Sequence, residues 1–353
     1  MRFGYFVLVL VLLLGCESST RVIATETPIP CPGPSTLMLT ANKGASLRAF
    51  ARTRRGWGVF FRDDEFLEFA QISPEITIEE GPLRVGMEAD FQSLEAGEDG
   101  DGFFLSFGRI VAERTQPMYG YFRPGDGMLS SEQVTLDQGV NLPQLATLRV
   151  GRTAPPISIV RTGGEHILSE LRPDGPELRL VRESSQRVMD FQRYDGRLWL
   201  LHSRNGAFGV SRFALVGDEV VFDGEAAEPV LAEFAALSTS EQGVGWWTVT
   251  GTLVTPRNIE GTPLDPTAVE LPEAPRAFDA DLGSDGHAAF AVTDSVGLRV
   301  YLAGEPPVEI PMMDGLRTIQ VGSYATGAVV AASLVSPFRA TLFRVCRESA
   351  REP

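Results

Sequence analysis

An all-β architecture assembled from repeated four-stranded units is what this sequence predicts, and three observations predict it. From about residue 45 onward, short runs rich in aromatic and β-branched side chains alternate with Gly, Asp, Pro and Asn, and few stretches carry a helical period. A strand, a turn and an apolar strand recur seven times at nearly constant spacing. The last recurrence stops one strand short of a full unit, and two cysteines bracket the whole array.

The recurrences occupy residues 47–61, 89–107, 147–160, 188–201, 232–249, 277–292 and 317–332. Six carry a turn glycine as marker: Gly56, Gly102, Gly196, Gly243, Gly286 and Gly327. The third turns at Ala154-Pro155-Pro156 instead. From Gly56 to Gly327 is 271 residues over six intervals, about 45 each, which is the length of a four-stranded propeller blade. One or two further candidate strands follow each pair, as in "LRVYLAG" (298–304) and "PVEIP" (307–311). The stretch "EPVLAEFAAL" (228–237) is ambiguous and admits a helical turn. In period alone the chain resembles β-propellers of the WD40 and kelch size class; their signature motifs are absent or unrepeated. The expected fold is a β-propeller of seven four-stranded blades, with six or eight as the alternative counts and two β-sandwich domains as the alternative architecture.

The seventh unit ends with "FRATLFRVC" (338–346), one strand short, and "STLMLT" (35–40) near the other end of the array is the natural completion. In an antiparallel pair the end of one strand lies beside the start of the next. Cys346 ends the former strand and Cys31 precedes the latter, so a Cys31–Cys346 disulfide would stand where a hairpin turn otherwise would. Closing a loop that long is worth about 5 kcal/mol in the chain-entropy model. Two buried free thiols are the alternative.

At the N-terminus, Met1-Arg2 precedes an apolar run from Phe3 to Leu14. The run is shorter than the roughly 20 residues a membrane-spanning helix needs, and reads as a secretory signal. It ends Leu13-Leu14-Gly15-Cys16, which resembles the lipobox of bacterial lipoproteins, although Leu14 is bulkier than usual. That resemblance implies cleavage after residue 15, a lipid-bearing Cys16 as the mature N-terminus, and membrane attachment. A cleaved signal with a chance cysteine is the alternative. Residues 17–30, rich in Ser, Thr and Pro, read as a flexible tether that reaches at most about 50 Å. Glu17 stands where aspartate marks inner-membrane retention in enterobacteria, which points to the outer membrane of the cell envelope. The expected organisation is therefore signal 1–15, anchor and tether 16–30, propeller 31–346 and tail 347–353.

The net charge of −15, with Lys43 the one lysine, leaves no basic track for a phosphate backbone, so nucleic acid is not an expected partner. The exported chain keeps no spare cysteine for a nucleophile. The three histidines, His166, His202 and His287, form no metal or catalytic motif, and neither G-x-S-x-G nor a Walker loop is present. His202, inside "RLWLLHS", reads as a strand residue rather than a base. Trp57, Trp199, Trp246 and Trp247 follow the turn glycines, with Phe103, Phe104 and Phe290 similarly placed. Recurrence at one structural position favours filling the wedge between blades over stacking on sugars. Acidic residues near the starts of first strands, Asp90, Asp190, Glu233 and Asp279, would line a channel mouth. There they would serve as acid and base in glycoside chemistry, or simply accept from loop amides. Asp279, Asp281 and Asp285 are weak calcium candidates in "DADLGSDG" (279–286), which lacks EF-hand spacing; no other cofactor is expected. The expected function is a lipid-anchored, non-enzymatic binding or scaffold propeller whose partner is an envelope protein or a glycan. The alternative is a carbohydrate-active hydrolase or lyase using those carboxylates.

Overall fold

Runs such as "GWGVFF" and "GVGWWTVT" put bulky side chains on both faces of an extended chain, which suits a strand covered from both sides. The computed structural model describes residues 35–347 apart from short stretches, of which 134–156, 171–176 and 260–267 are the longer. Residues 1–34 with Cys16 and Cys31, the positions Asp90 and Asp285, and residues 348–353 lie outside the described residues. Among the described residues there are 27 strands and no helix.

A short strand β1 (Ser35–Met38) comes first. Sheet one is β2 (Ser46–Thr53), β3 (Gly56–Asp63), β4 (Phe66–Ile72) and β5 (Ile78–Met87). Sheet two is β6 (Gln92–Asp99), β7 (Gly102–Val111), β8 (Arg114–Arg123) and β9 (Gly127–Gln133). Sheet three contains β10 (Ile157–Thr162), β11 (Glu165–Glu170) and β12 (Glu177–Val181). The segment 147–150, expected as its first strand, lies outside the described residues. Sheet four is β13 (Arg187–Tyr194), β14 (Arg197–Arg204), β15 (Ala207–Val216) and β16 (Glu219–Leu231). Sheet five is β17 (Phe234–Ser240), β18 (Gly243–Thr250), β19 (Leu253–Ile259) and β20 (Val269–Glu270). Sheet six is β21 (Ala277–Leu282), β22 (Ala288–Thr293), β23 (Gly297–Leu302) and β24 (Val308–Pro311). The last sheet joins β25 (Leu316–Tyr324), β26 (Gly327–Val335) and β27 (Phe338–Cys346) to β1, in the order β1-β27-β26-β25.

Every other sheet follows chain order as an antiparallel meander. Asp195-Gly196 and Asn205-Gly206 make two-residue hairpins with φ values of 50°, 70°, 52° and 79°, the left-handed pair that matches strand twist. The ambiguous stretch 228–237 is extended: it ends β16 and opens β17. Both ends of β1 pair as expected for a completing strand, Ser35 opposite Arg344 and Met38 opposite Thr341.

The core lies between sheets, not within one. One cluster joins Phe60, Leu67 and Phe69 of sheet one to Phe103, Leu105 and Phe122 of sheet two. Others join sheets four and five, five and six, and six and the last. A further cluster packs Trp57, Val59 and Phe61 of sheet one against Val329, Ala331 and Leu342 of the last sheet. First strands lie side by side, β13 with β17, β17 with β21, β21 with β25, and β2 with both β25 and β6.

Candidate functional site

Successive side chains of a strand point to opposite faces, so Asp279 and Asp281 of β21 share one. Both act as acceptors for the neighbouring first strand. Asp279 Oδ2 takes the Val321 N–H at 2.7 Å, and Asp281 Oδ2 takes the Ser323 N–H at 2.8 Å. Asp281 Oδ1 accepts from the Ser238 hydroxyl of β17 at 2.6 Å, and Ser238 Oγ in turn accepts the Leu282 N–H at 3.0 Å. One carboxylate therefore ties sheets five, six and seven together. The belt continues where Thr239 donates to Gln192 Oε1 of β13 at 3.3 Å, and where Leu47 of β2 donates its N–H to Ser333 Oγ of β26 at 2.7 Å.

The other acidic candidates are placed differently. Asp190 is buried on β13, its Oδ1 accepting the N–H of Phe191 at 2.8 Å. Glu233 stands just before β17, exposed, and accepts the Gly251 N–H at 2.6 Å from the turn after β18. Of the described acidic candidates only Asp279 and Asp281 share a strand face, and both are engaged with amides. Among the described residues no three His, Cys, Asp or Glu side chains form a metal-holding group.

A constellation missed in the sequence surrounds His202. Its ring is buried over Gly209, where an added Cβ would stand 2.8 Å from the ring. Its Nε2 lies 3.3 Å from Glu225 Oε2, and Ser211 donates to that same oxygen at 2.9 Å. The hydroxyl is thus turned to the carboxylate and not to the imidazole, which is the reverse of what an activated serine needs. Glu225 lies on β16, 23 residues from His202, and no spacing rule connects them.

The aromatic residues after the turn glycines are core. Trp57, Trp199, Trp246 and Trp247 are each at most 3% exposed. Trp246 belongs to the cluster shared with sheet four and Trp247 to that shared with sheet six, one on each face. Phe103 and Phe290 sit in equivalent interfaces. Two glycines serve as sockets: a Cβ at Gly322 would meet the Trp57 ring at 2.2 Å, and one at Gly58 would meet Phe103 at 2.4 Å.

At the end of the last sheet, Cys346 is fully buried. Nearby Arg344, 2% exposed, donates from Nε to the Tyr324 hydroxyl at 3.0 Å. Burial holds the Tyr324 phenol above its usual pKa, so it meets the guanidinium as a neutral acceptor.

No protein-family model matches the sequence, and no curated protein is detectably similar to it. Solved structures match in shape. A catalytically inactive virginiamycin B lyase from Staphylococcus aureus, solved with quinupristin, superposes with a TM-score of 0.57 at 12% identity over 88% of this chain and 99% of that one. The β-propeller domain of Cps50 (Swd1) from Myceliophteria thermophila gives a TM-score of 0.52 at 10% identity, over 89% and 99% of the two chains. BBS1N, solved in complex with ARL6DN, also gives 0.52 at 12% identity, over 92% and 94%. The chain has a β-propeller fold. At these identities the likeness extends to the fold and no further, and propellers host unrelated functions. In a propeller the blades stand around a central axis with first strands innermost. The hydrogen-bonded belt of Gln192, Thr239, Ser238, Asp281 and Ser323 accordingly runs along the axis side of the blades.

Proposed function

We propose that this chain is a tethered, non-enzymatic binding propeller of the bacterial cell envelope, held to the membrane by lipid on Cys16 and presenting a rigid disc to an envelope protein or glycan. The proposed disc has seven blades, closed by β1 and by a Cys31–Cys346 disulfide. What supports closure is the pairing of β1 with β27 and the packing of the first sheet against the last.

The observation that carries the non-enzymatic reading is the engagement of Asp279 and Asp281 by Val321, Ser323 and Ser238. A carboxylate that accepts a backbone N–H of the next blade is placed to hold blades together rather than to move protons on a substrate. The rigidity this confers suits a surface that binds through loops at either face of the disc.

Crosslinking of the anchored protein in its native envelope, followed by mass spectrometry, tests the reading. A near-stoichiometric protein or glycan partner that disappears in a Cys16→Ala variant is the expected result. Capture at background level in both forms would overturn it.

A further inference from the structure

Arg347 follows Cys346 just past the end of β27, and its backbone N–H donates to the Thr326 carbonyl at 2.9 Å. It is 7% exposed, and both Nε and Nη2 are buried with no hydrogen-bond partner among the described residues. Arg299, whose Nη1 also lacks a hydrogen bond, faces the carboxylates of Asp294 and Glu309, and Arg344 donates to Tyr324. Tyr324 and Thr326 flank the same β25–β26 turn, which takes the Arg344 guanidinium at Tyr324 and the Arg347 backbone N–H at Thr326. A buried cation without a counter-charge is among the costliest features a fold can carry. In a chain of net charge −15 a surplus of positive charge at one buried point is the more telling.

We infer that Arg347 is the recognition group of an anion-binding site at the end of the last sheet, beside the β25–β26 turn, taking a small oxyanion, carboxylate or phosphate, on the Nε–Nη2 edge of its guanidinium. That edge presents two parallel N–H donors whose spacing matches two oxygens of one carboxylate or phosphate. The inference is independent of what the disc faces bind.

The test is thermal unfolding and calorimetric titration of the intact chain with sodium acetate and, separately, sodium phosphate, at ionic strength held constant with sodium chloride. Saturable one-to-one binding is expected, with Tm rising as the anion exceeds its dissociation constant. Stabilisation by acetate alone assigns a carboxylate ligand, and by phosphate alone a phosphate ligand. In Arg347→Met the titration should vanish. The anion-free Tm should then rise by about 2–5 °C, because a buried unpaired charge is replaced by an apolar chain of similar length. A lower anion-free Tm in Arg347→Met would mean the guanidinium is already neutralised within the protein, and would overturn the proposal. Equal stabilisation of both forms would do the same by reducing the effect to general salt. Should Arg347→Met fail to fold, Arg347→Lys keeps the charge and removes the fork; its affinity is expected to fall at least tenfold, and an unchanged affinity counts against the site.

Discussion

Asp281 is where one side chain has the widest structural reach. Its two oxygens receive a hydroxyl from β17 and an amide from β25, and the partner serine caps the amide of Leu282. Replacing it with alanine strands the Ser323 N–H, on a residue that is fully buried, and frees the Ser238 hydroxyl. A buried donor left without an acceptor costs about 1–3 kcal/mol, more when the lost acceptor was charged. Asp281→Ala is therefore expected to lower the unfolding free energy by about 2–4 kcal/mol in urea titration, with the m-value unchanged. Asp281→Asn, which keeps one carbonyl acceptor, should lose roughly half as much. A loss below about 0.5 kcal/mol for the alanine variant would show that the carboxylate is not an inter-blade tie. The sequence placed Asp279 and Asp281 near a first strand, and the choice between amide acceptor and catalytic group needed the neighbouring strand, some 42 residues away.

The turn glycines, identical as sequence markers, serve two different physical purposes at the scale of the strand pair. At Gly56, Gly102 and Gly327 an added Cβ would strike a carbonyl at the end of the third strand: Ile72 O at 2.2 Å, Phe122 O at 2.7 Å and Val345 O at 2.0 Å. At Gly196 nothing lies within 4 Å, and the glycine answers only to φ of 70° in a hairpin. Gly327→Ala must push backbone aside and is expected to cost more than about 3 kcal/mol, whereas Gly196→Ala should cost about 1 kcal/mol. Equal losses in thermal unfolding would refute the distinction. The sockets at Gly58 and Gly322 escaped sequence reading altogether, because Trp57 and Gly322 meet across 265 residues. Gly322→Ala is expected to lose about 1–3 kcal/mol by overpacking, and most of that loss should disappear when Trp57→Leu is introduced alongside it. Additive losses would mean the ring can move aside and the socket is not tight. Aromatic placement was legible for the opposite reason: "GVGWWTVT" puts one Trp on each face whatever its neighbours are, and both faces are covered.

Across the whole molecule, period and propeller architecture could be read from spacing because each blade repeats the same local need for a turn after its first strand. The third unit shows the limit, since its turn residues 154–156 carry no glycine and lie outside the described residues. What no period encodes is how the two ends of the array are joined. Among the described residues β1 pairs with β27 over Ser35–Met38, with one further bond from the Leu39 N–H to the Ala340 carbonyl at 3.0 Å, which is a short ladder to hold the last blade. Unaided, so brief an edge strand would fray, opening the seam where Trp57 and Tyr324 belong to one apolar cluster. A covalent link at the buried end of β27 would remove that weakness by confining the unfolded chain and by holding Ser35 opposite Arg344. Cys346→Ser and Cys31→Ser are accordingly expected to lose about 2–5 kcal/mol each, a Tm fall of about 4–10 °C, and the double variant no more than either single one. Reductant should produce the same fall in the native protein and none in the variants. If reduction leaves Tm where it was, the seam is held by packing and by β1 alone, and hydrogen exchange at Met38 and Leu39 should then be as slow as in the centre of β26.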